Sequence, residues 1–289
     1  MEYKTRTGEI VRANDGQDRL LAAVYGSKWG RLAMKPLVRP GVSRLVKRIM
    51  NSRLSARLVP GFCRSNGIVL EEYEKQQFDS YNDFFIRRIR PQLRPINDDR
   101  SRLISPCDAK LRVYPISADA RVQIKQTTYT LTSLLEDRRL AERFEGGLLC
   151  IFRLTVDDYH HYCYVEDGFV SRARRIAGVL HTVNPVAEER VPIYKTNARA
   201  YQLLRSERLG TVLMMEVGAL SIGEICNLHE AESVSRGQEK GYFAFGGSTV
   251  ILAFQKDRVS IDTDIIENQA EGYETIVRMG EGIGNIGRL

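Results

Sequence analysis

The chain has 289 residues, 43% of them hydrophobic, so it can bury a sizeable core as one large domain or two small ones. It shows no internal repeat or low-complexity tract, and its longest uncharged apolar runs, such as Thr249–Phe254, are far too short to span a bilayer. The net charge of +7 is concentrated: nine basic and no acidic residues lie between Lys28 and Arg57, which points to an anionic surface as partner.

Residues 1–60 read as helices and loops punctuated by Gly and Pro, and the first residues carry no signal-peptide apolar core. From Val42 to Met50, the residues Val42, Leu45, Val46, Ile49 and Met50 share one helical face. Arg44, Lys47 and Arg48 occupy the other, the layout of a helix lying in a membrane interface. Pro36 and Pro40 limit this helix on one side, and Arg53 and Arg57 rotate under its apolar face on the other. A surface helix with a solvated basic face would show the same pattern. No helix-turn-helix, zinc or aromatic RNA-binding signature accompanies the charge, so no nucleic-acid partner is expected.

Between Leu70 and Ile89 the spacing of Tyr73, Phe78, Tyr81, Phe84 and Phe85 predicts one or two helices with an aromatic core face. These stop at Pro91 and Pro95. After Leu103 the pattern changes to short strands: Leu111–Tyr114, Leu148–Leu154, Thr211–Val217, Ile222–Cys226 and Thr249–Phe254. Leu131–Phe144 reads as the clearest helix of that half, with Thr130 or Thr132 as N-cap. Helices followed by strands predict an α+β fold. Its expected parts are a helical, basic, membrane-associating region over 1–100 and a β-rich, mostly antiparallel catalytic domain over 101–289. Cys63, Cys107, Cys150, Cys163 and Cys226 are odd in number and form no Cys-x-x-Cys pair, which predicts reduced thiols.

The most informative stretch is Gly246-Gly247-Ser248-Thr249, set between Phe243-Ala244-Phe245 and the apolar run Val250–Phe254. Gly247 has no Cβ, so it tolerates a strained backbone and leaves its carbonyl carbon open to attack. Ser248 Oγ can attack that carbonyl and shift the acyl group from nitrogen to oxygen. Elimination across Ser248 and hydrolysis would then leave a pyruvoyl group at a new N-terminus. A Gly-Gly hairpin turn before a small polar residue explains the same four residues more cheaply when they stand alone.

They do not stand alone. Tyr81-Asn82-Asp83-Phe84-Phe85-Ile86-Arg87-Arg88, Ser105-Pro106-Cys107-Asp108, Phe152-Arg153-Leu154 with Asp158-Tyr159-His160, Val183-Asn184-Pro185 and Gly237–Phe243 precede Gly247-Ser248-Thr249 in order. With Gly280-Glu281-Gly282-Ile283-Gly284 at the end, the chain from about Tyr81 onward resembles the phosphatidylserine decarboxylases, pyruvoyl-dependent enzymes of phosphatidylethanolamine synthesis.

That resemblance implies cleavage between Gly247 and Ser248 into a β chain (1–247) and an α chain (248–289) that remain associated. The covalent pyruvoyl group derived from Ser248 would form a Schiff base with phosphatidylserine and accept the electrons released as CO₂ leaves. No separate cofactor is implied, in line with the lack of a phosphate-binding or dinucleotide glycine motif, and no metal set is expected. The family activates its serine through an Asp–His–Ser arrangement. Asp108 matches the acidic member, although Ala109 stands where glycine is usual. The histidine does not carry over: the second His of the family's Asp-Tyr-His-Arg-x-His stretch falls on Cys163, while His160 matches the first and His161 replaces Arg.

Three ways of supplying the base remain. Cys163 could accept a proton as thiolate; His160 or His161 could take the role; or strain at Gly247 and an oxyanion site could suffice. His160 is the preferred participant in cleavage and in reprotonation of Cα. His161, Asn184 and Arg199 are expected near the substrate, and Arg44, Leu45, Lys47, Arg48 and Ile49 at the lipid surface. The expectation is a peripheral enzyme on the cytoplasmic face of the membrane, with a homodimer compatible. The competing readings are a non-catalytic basic lipid-surface protein and a pyruvoyl decarboxylase of another serine-headed lipid.

Overall fold

Leu148–Leu154 and Ser248–Phe254 are buried along almost their whole length, because each lies between neighbouring strands with a packed layer on both faces. Alternate side chains diverge as strand geometry requires. Phe152, Leu154, Val250, Leu252 and Phe254 enter one core, while Leu149, Ile151, Ile251 and Ala253 enter the other. A strand buried on both sides has no polar face to show, which accounts for the unbroken apolar runs in the sequence. The computed structural model describes residues 2–12, 40–124, 127–179, 193–218, 224–244 and 248–287.

Among the described residues these strands are the middle of an eleven-stranded sheet. Its order is Glu232–Val234, Gly168–Val170, Arg199–Ser206, Gly210–Gly218, Ser248–Phe254, Leu148–Leu154, Ala109–Pro115, Glu274–Val277, Glu2–Lys4 and Ile10–Arg12. Arg174–Ile176 also pairs with Arg199–Ser206. Glu2–Lys4 runs parallel to Glu274–Val277, and the other paired strands of this sheet are antiparallel.

One face is covered by two three-stranded sheets, formed by Glu224–Asn227, Glu239–Ala244 and His161–Cys163, and by Val259–Ile261, Gly282–Ile286 and Arg102–Ile104. Two short helices, Leu131–Leu135 and Arg138–Glu142, pack their leucines and Ala141 against the other. The architecture is a β-rich α+β fold. Helices Pro40–Met50, Val59–Asn66 and Tyr81–Phe85, with the 3₁₀ turn Arg53–Leu58, form a smaller layer. There Val59, Cys63, Tyr81, Phe84 and Phe85 make a separate aromatic core. As the sequence suggested, Phe84 and Phe85 are packing residues.

Three readings change. The first described residues are strands rather than helices and loops, and they join the main sheet. The expected Leu131–Phe144 helix is broken in two, because Glu136 takes a left-handed conformation (φ 52°) and Asp137 starts the second piece by accepting from Leu140 N. Thr130 does cap the first, accepting from Ser133 N. Between Leu70 and Ile89 the aromatic residues face the core as expected. Only Tyr81–Phe85 is α-helical, with Leu70–Glu72 a single 3₁₀ turn.

Candidate active site

Ser248 opens the central strand, paired with Leu154 on one side and Gly218 on the other. It is fully buried, and its Oγ has no hydrogen-bond partner among the described residues. By alternation with Val250, Leu252 and Phe254, it points into the layer that contains Tyr162, Cys163 and Phe243. Asn197, buried just before the strand Arg199–Ser206, donates to the carbonyl of Gly218 at 2.8 Å and so fixes the end of the neighbouring strand. A buried hydroxyl left without a partner costs free energy, and Thr249 Oγ1 beside it is likewise without one among the described residues.

His160 lies in that facing layer, at the end of the strand next to Glu239–Ala244; the N–H of Phe243 donates to its carbonyl at 3.0 Å. Its ring is fully buried against Phe85, with centroids 4.1 Å apart. Nδ1 donates to the carbonyl of Asp158 at 2.9 Å, which assigns the proton to Nδ1 and leaves Nε2 bare and unpartnered. Burial, and then the nearby Arg87 charge, hold its pKa well below the ordinary histidine value. The ring is therefore neutral at physiological pH, with a basic nitrogen aimed at no other described group.

Because an unfolded histidine takes up its proton near 6.5 and buried His160 does so only at much lower pH, acid favours the unfolded chain. The contribution is intact above pH 6.5 and is lost as pH falls below it, by about 1.4 kcal/mol per pH unit. Urea unfolding of wild type and His160→Gln between pH 7 and 5 should show a steeper loss for the wild type. Equal slopes would contradict a neutral buried ring.

His161 faces the opposite way. Its Nδ1 lies 2.7 Å from Glu239 Oε1 and its Nε2 is 3.1 Å from the carbonyl of Ile86, with the ring stacked between Tyr159 and Tyr242. Arg88 donates to the same Glu239 carboxylate at 2.7 Å. Arg88, Tyr159, His161 and Glu239, with Glu74, Arg94 and Cys163, line a cavity of about 210 Å³. A larger cavity, about 720 Å³, has none of the site residues expected from the sequence in its wall and lies near residues 5–7 and 276–282.

Cys163 is buried, and its N–H donates to the carbonyl of Pro106 at 2.8 Å, which sets it against the Ser105–Asp108 turn. Burial pushes its thiol up to about 12, so it stays a thiol near neutral pH and cannot serve as the thiolate base. Asp108 is held by Arg94, whose Nε donates to both carboxylate oxygens at 2.8 and 2.9 Å, and by the N–H of Met279 at 2.8 Å. Neither His160 nor His161 bonds to it. The family-type Asp–His–Ser relay is thus absent from the described bonds, and Asp108 is instead half of a buried ion pair.

Arg199 differs from expectation as well. Its guanidinium donates to the carbonyls of Leu134 (2.7 Å), Lys195 (2.9 Å), Asn197 (3.1 Å) and Ser133 (3.1 Å). All three guanidinium nitrogens are occupied in tying down the end of a helix. Asn184 and Gly247 lie outside the described residues, as does the side chain of Arg44.

Sequence reasoning passed over Arg94, Glu239 and Lys240. Lys240 is wholly buried and paired with Glu216 at 2.8 Å, beneath the facing layer. Glu239 and Lys240 stood in a quoted motif, but a Glu-Lys pair at a strand's start reads as solvent-facing. Arg94, between Pro91 and Pro95, read as part of a helix stop.

The described residues thus include a buried serine at the head of the central strand, a neutral buried histidine in the layer that faces it, and a cavity lined by Arg88, Arg94, His161, Glu74 and Glu239. A family model described as phosphatidylserine decarboxylase matches residues 81–285. The chain is 40% identical to phosphatidylserine decarboxylase proenzyme 2 of Clostridium acetobutylicum, over 96% of this chain and 95% of that one. It is 38% identical to the proenzyme of Ruminiclostridium cellulolyticum (98% and 95% covered) and 39% identical to that of Clostridium novyi (92% of each). Match and relatives extend through Ser248 and nearly the whole length, and the chain belongs to the phosphatidylserine decarboxylase family.

Proposed function

We infer that this chain is a self-cleaving precursor of a pyruvoyl-dependent decarboxylase that converts phosphatidylserine to phosphatidylethanolamine. The observation that carries the reading is the buried Ser248 Oγ, without a partner among the described residues, at the head of a strand locked between two neighbours. Oγ attacks the carbonyl carbon of Gly247 and the C–N bond breaks, giving an ester. Loss of the Ser248 Hα expels the Gly247 carboxylate, and hydrolysis of the resulting enamine releases ammonia and leaves the pyruvoyl group. This fits a position that has the serine, a Cβ-free residue before it and, among the described residues, no competing hydrogen bond on the hydroxyl. When formed, the group supplies an electrophilic carbonyl that can draw off the electrons of a departing CO₂.

The residues divide the remaining work. His160, neutral and with Nε2 bare, takes the Ser248 proton in cleavage and returns a proton to Cα of the product. Cys163, a thiol, supports the Ser105–Asp108 turn. Asp108 acts through its bonds to Arg94 and the Met279 N–H, which orient the loop carrying them. His161, Arg88 and Arg94 line a cavity with Glu74 and Glu239, a mixed set of charges that suits a headgroup carrying both an amine and anionic groups. Asn184 stays with the substrate on the strength of the resemblance, whereas the bonds of Arg199 favour an anchoring role.

The lipid side follows from exposure. Leu45, Ile49, Leu54 and Leu58 are 60, 52, 70 and 52% exposed, with Arg48, Arg53 and Arg57 exposed among them. Lys47 is tied to Glu224. This face is one helical layer from the site: Ser55 accepts from Tyr81 N at 2.9 Å, and Phe85, on the same short helix, packs on His160. Apolar side chains ringed by cations suit insertion into an anionic membrane surface.

Purified protein should sediment with phosphatidylserine vesicles and release CO₂ from them. Leu54→Asp with Leu58→Asp should weaken vesicle binding about 100-fold, each leucine contributing at least about 1.4 kcal/mol on insertion. Turnover of short-chain phosphatidylserine below its micelle concentration should be retained. Unchanged sedimentation would exclude this face.

A further inference from the structure

Residues 2–7 hold on to a part of the chain far away in sequence. Glu2–Lys4 pairs in parallel with Glu274–Val277, Tyr3 opposite Glu274 and Lys4 opposite Thr275. Lys4 Nζ donates to Glu271 and lies 4.9 Å over the Tyr273 ring. The carbonyl of Thr5 accepts from Asn268 Nδ2 at 3.3 Å. Arg6 does most: Nη2 reaches Asp262 at 2.7 Å and Asp264 at 3.0 Å, Nη1 donates to the carbonyl of Gly282 at 2.8 Å, and Nε binds Asp264 again. Glu281 lies 3.4 Å from Nη1. Every one of these partners lies between residues 262 and 282, inside the fragment that cleavage at Gly247-Ser248 would release.

We propose that residues 2–7 form a clasp whose partner is that fragment, 248–289, and which retains it once the chain is cut. The fragment is held at one end by the Ser248–Phe254 strand, inserted between two strands of the large chain. Its other half is a separate attachment. Glu274–Val277 has Ala109–Pro115 on one side and Glu2–Lys4 on the other, so without the clasp it becomes an open sheet edge. Strand addition supplies main-chain bonds, and Arg6, spanning two carboxylates and a carbonyl, supplies charge-assisted ones. In the uncut chain the peptide link also holds the fragment; after cleavage the clasp adds to the pairings of Glu274–Val277 with Ala109–Pro115 and of Gly282–Ile286 with Arg102–Ile104.

The inference rests on self-cleavage, and the test separates the two. Cleaved wild type, Arg6→Ala and Arg6→Lys are gel-filtered at increasing urea, and the large and small chains in the main peak are quantified by intact mass. Arg6→Ala should lose the small chain at clearly lower urea, with its dissociation constant raised about 10- to 100-fold. Arg6→Lys, which keeps the charge but cannot bridge the same acceptors, should fall between. The same substitutions in an uncut Ser248→Ala background serve as a folding control and should leave far-UV circular dichroism unchanged in the absence of urea. A cleaved Arg6→Ala that keeps its small chain as wild type does overturns the clasp alone. A wild type that remains whole overturns the cleavage reading and the clasp with it, and the mass distinguishes the cases.

Discussion

Ser248→Ala is expected to yield one uncut chain of 32.9 kDa, where wild type yields a large chain and a small one of about 4.8 kDa blocked at its N-terminus. The methyl group removes the attacking oxygen and adds little else. The position is fully buried and its hydroxyl has no bond to lose among the described residues, so the fold should be unharmed. Decarboxylation should disappear altogether, because without cleavage there is no reactive carbonyl. The loss should be on the order of 10⁶-fold or more, the lower end of what enzymes supply over the uncatalysed reaction. Intact mass spectrometry and CO₂ release from phosphatidylserine vesicles check both parts. A wild type of full mass would end the enzyme reading and leave a lipid-surface protein.

Lys240→Ala should destabilise the protein by about 3–5 kcal/mol, and Glu216→Ala by a similar amount. Both side chains are completely buried and bonded to one another at 2.8 Å. Asn227 bridges them, accepting from Lys240 at 3.0 Å and donating to Glu216 at 3.0 Å, while Tyr162 O–H donates to the same Asn227 oxygen. Burial lowers the Lys240 pKa against the opposing pull of Glu216, the signature of a charge that depends on its partner. Removing one member strands the other in a medium that cannot solvate it. Lys240→Met with Glu216→Leu should cost little or even stabilise, since apolar groups of like volume need no partner. Chemical unfolding in the Ser248→Ala background, where the chain stays single, would measure this. A double variant as unstable as either single one would refute the account.

The legible parts of the fold were those whose surroundings leave a mark on the local sequence. Leu148–Leu154 was identified to the residue, because a strand covered on both faces must be apolar throughout. Ser248 was legible through its company: two glycines before a serine read alone as a turn, and the other segments placed the stretch in a family. Glu2–Lys4 left no such mark. Three residues are too few for periodicity, and its partner strand begins at Glu274, at the other end of the chain. The Leu131–Phe144 break was hidden because both pieces send apolar residues into one core, so the pattern continued across Glu136.

In the site, the sequence named His160 and Asp108 but not the bonds that define them. The carbonyl of Asp158 settles which nitrogen of His160 is bare, and Arg94 occupies the carboxylate expected to serve the histidine. The sequence marked Cys163 as the departure from the resemblance in the histidine stretch. Only its burial shows that it stays protonated, since exposure is a property of the folded chain.

The central position of Ser248–Phe254 bears on the order in which the protein is made. Its flanking strands, Leu148–Leu154 and Gly210–Gly218, leave the ribosome earlier and must wait, with an open slot between them, for the strand that joins them. The reactive serine is fixed in place only when that slot is filled. A chain interrupted during translation, or one whose sheet has closed in the wrong register, would hold Gly247 and Ser248 in no fixed relation and could not cut itself. Self-cleavage would then act as quality control, with activity switched on by completion of the fold.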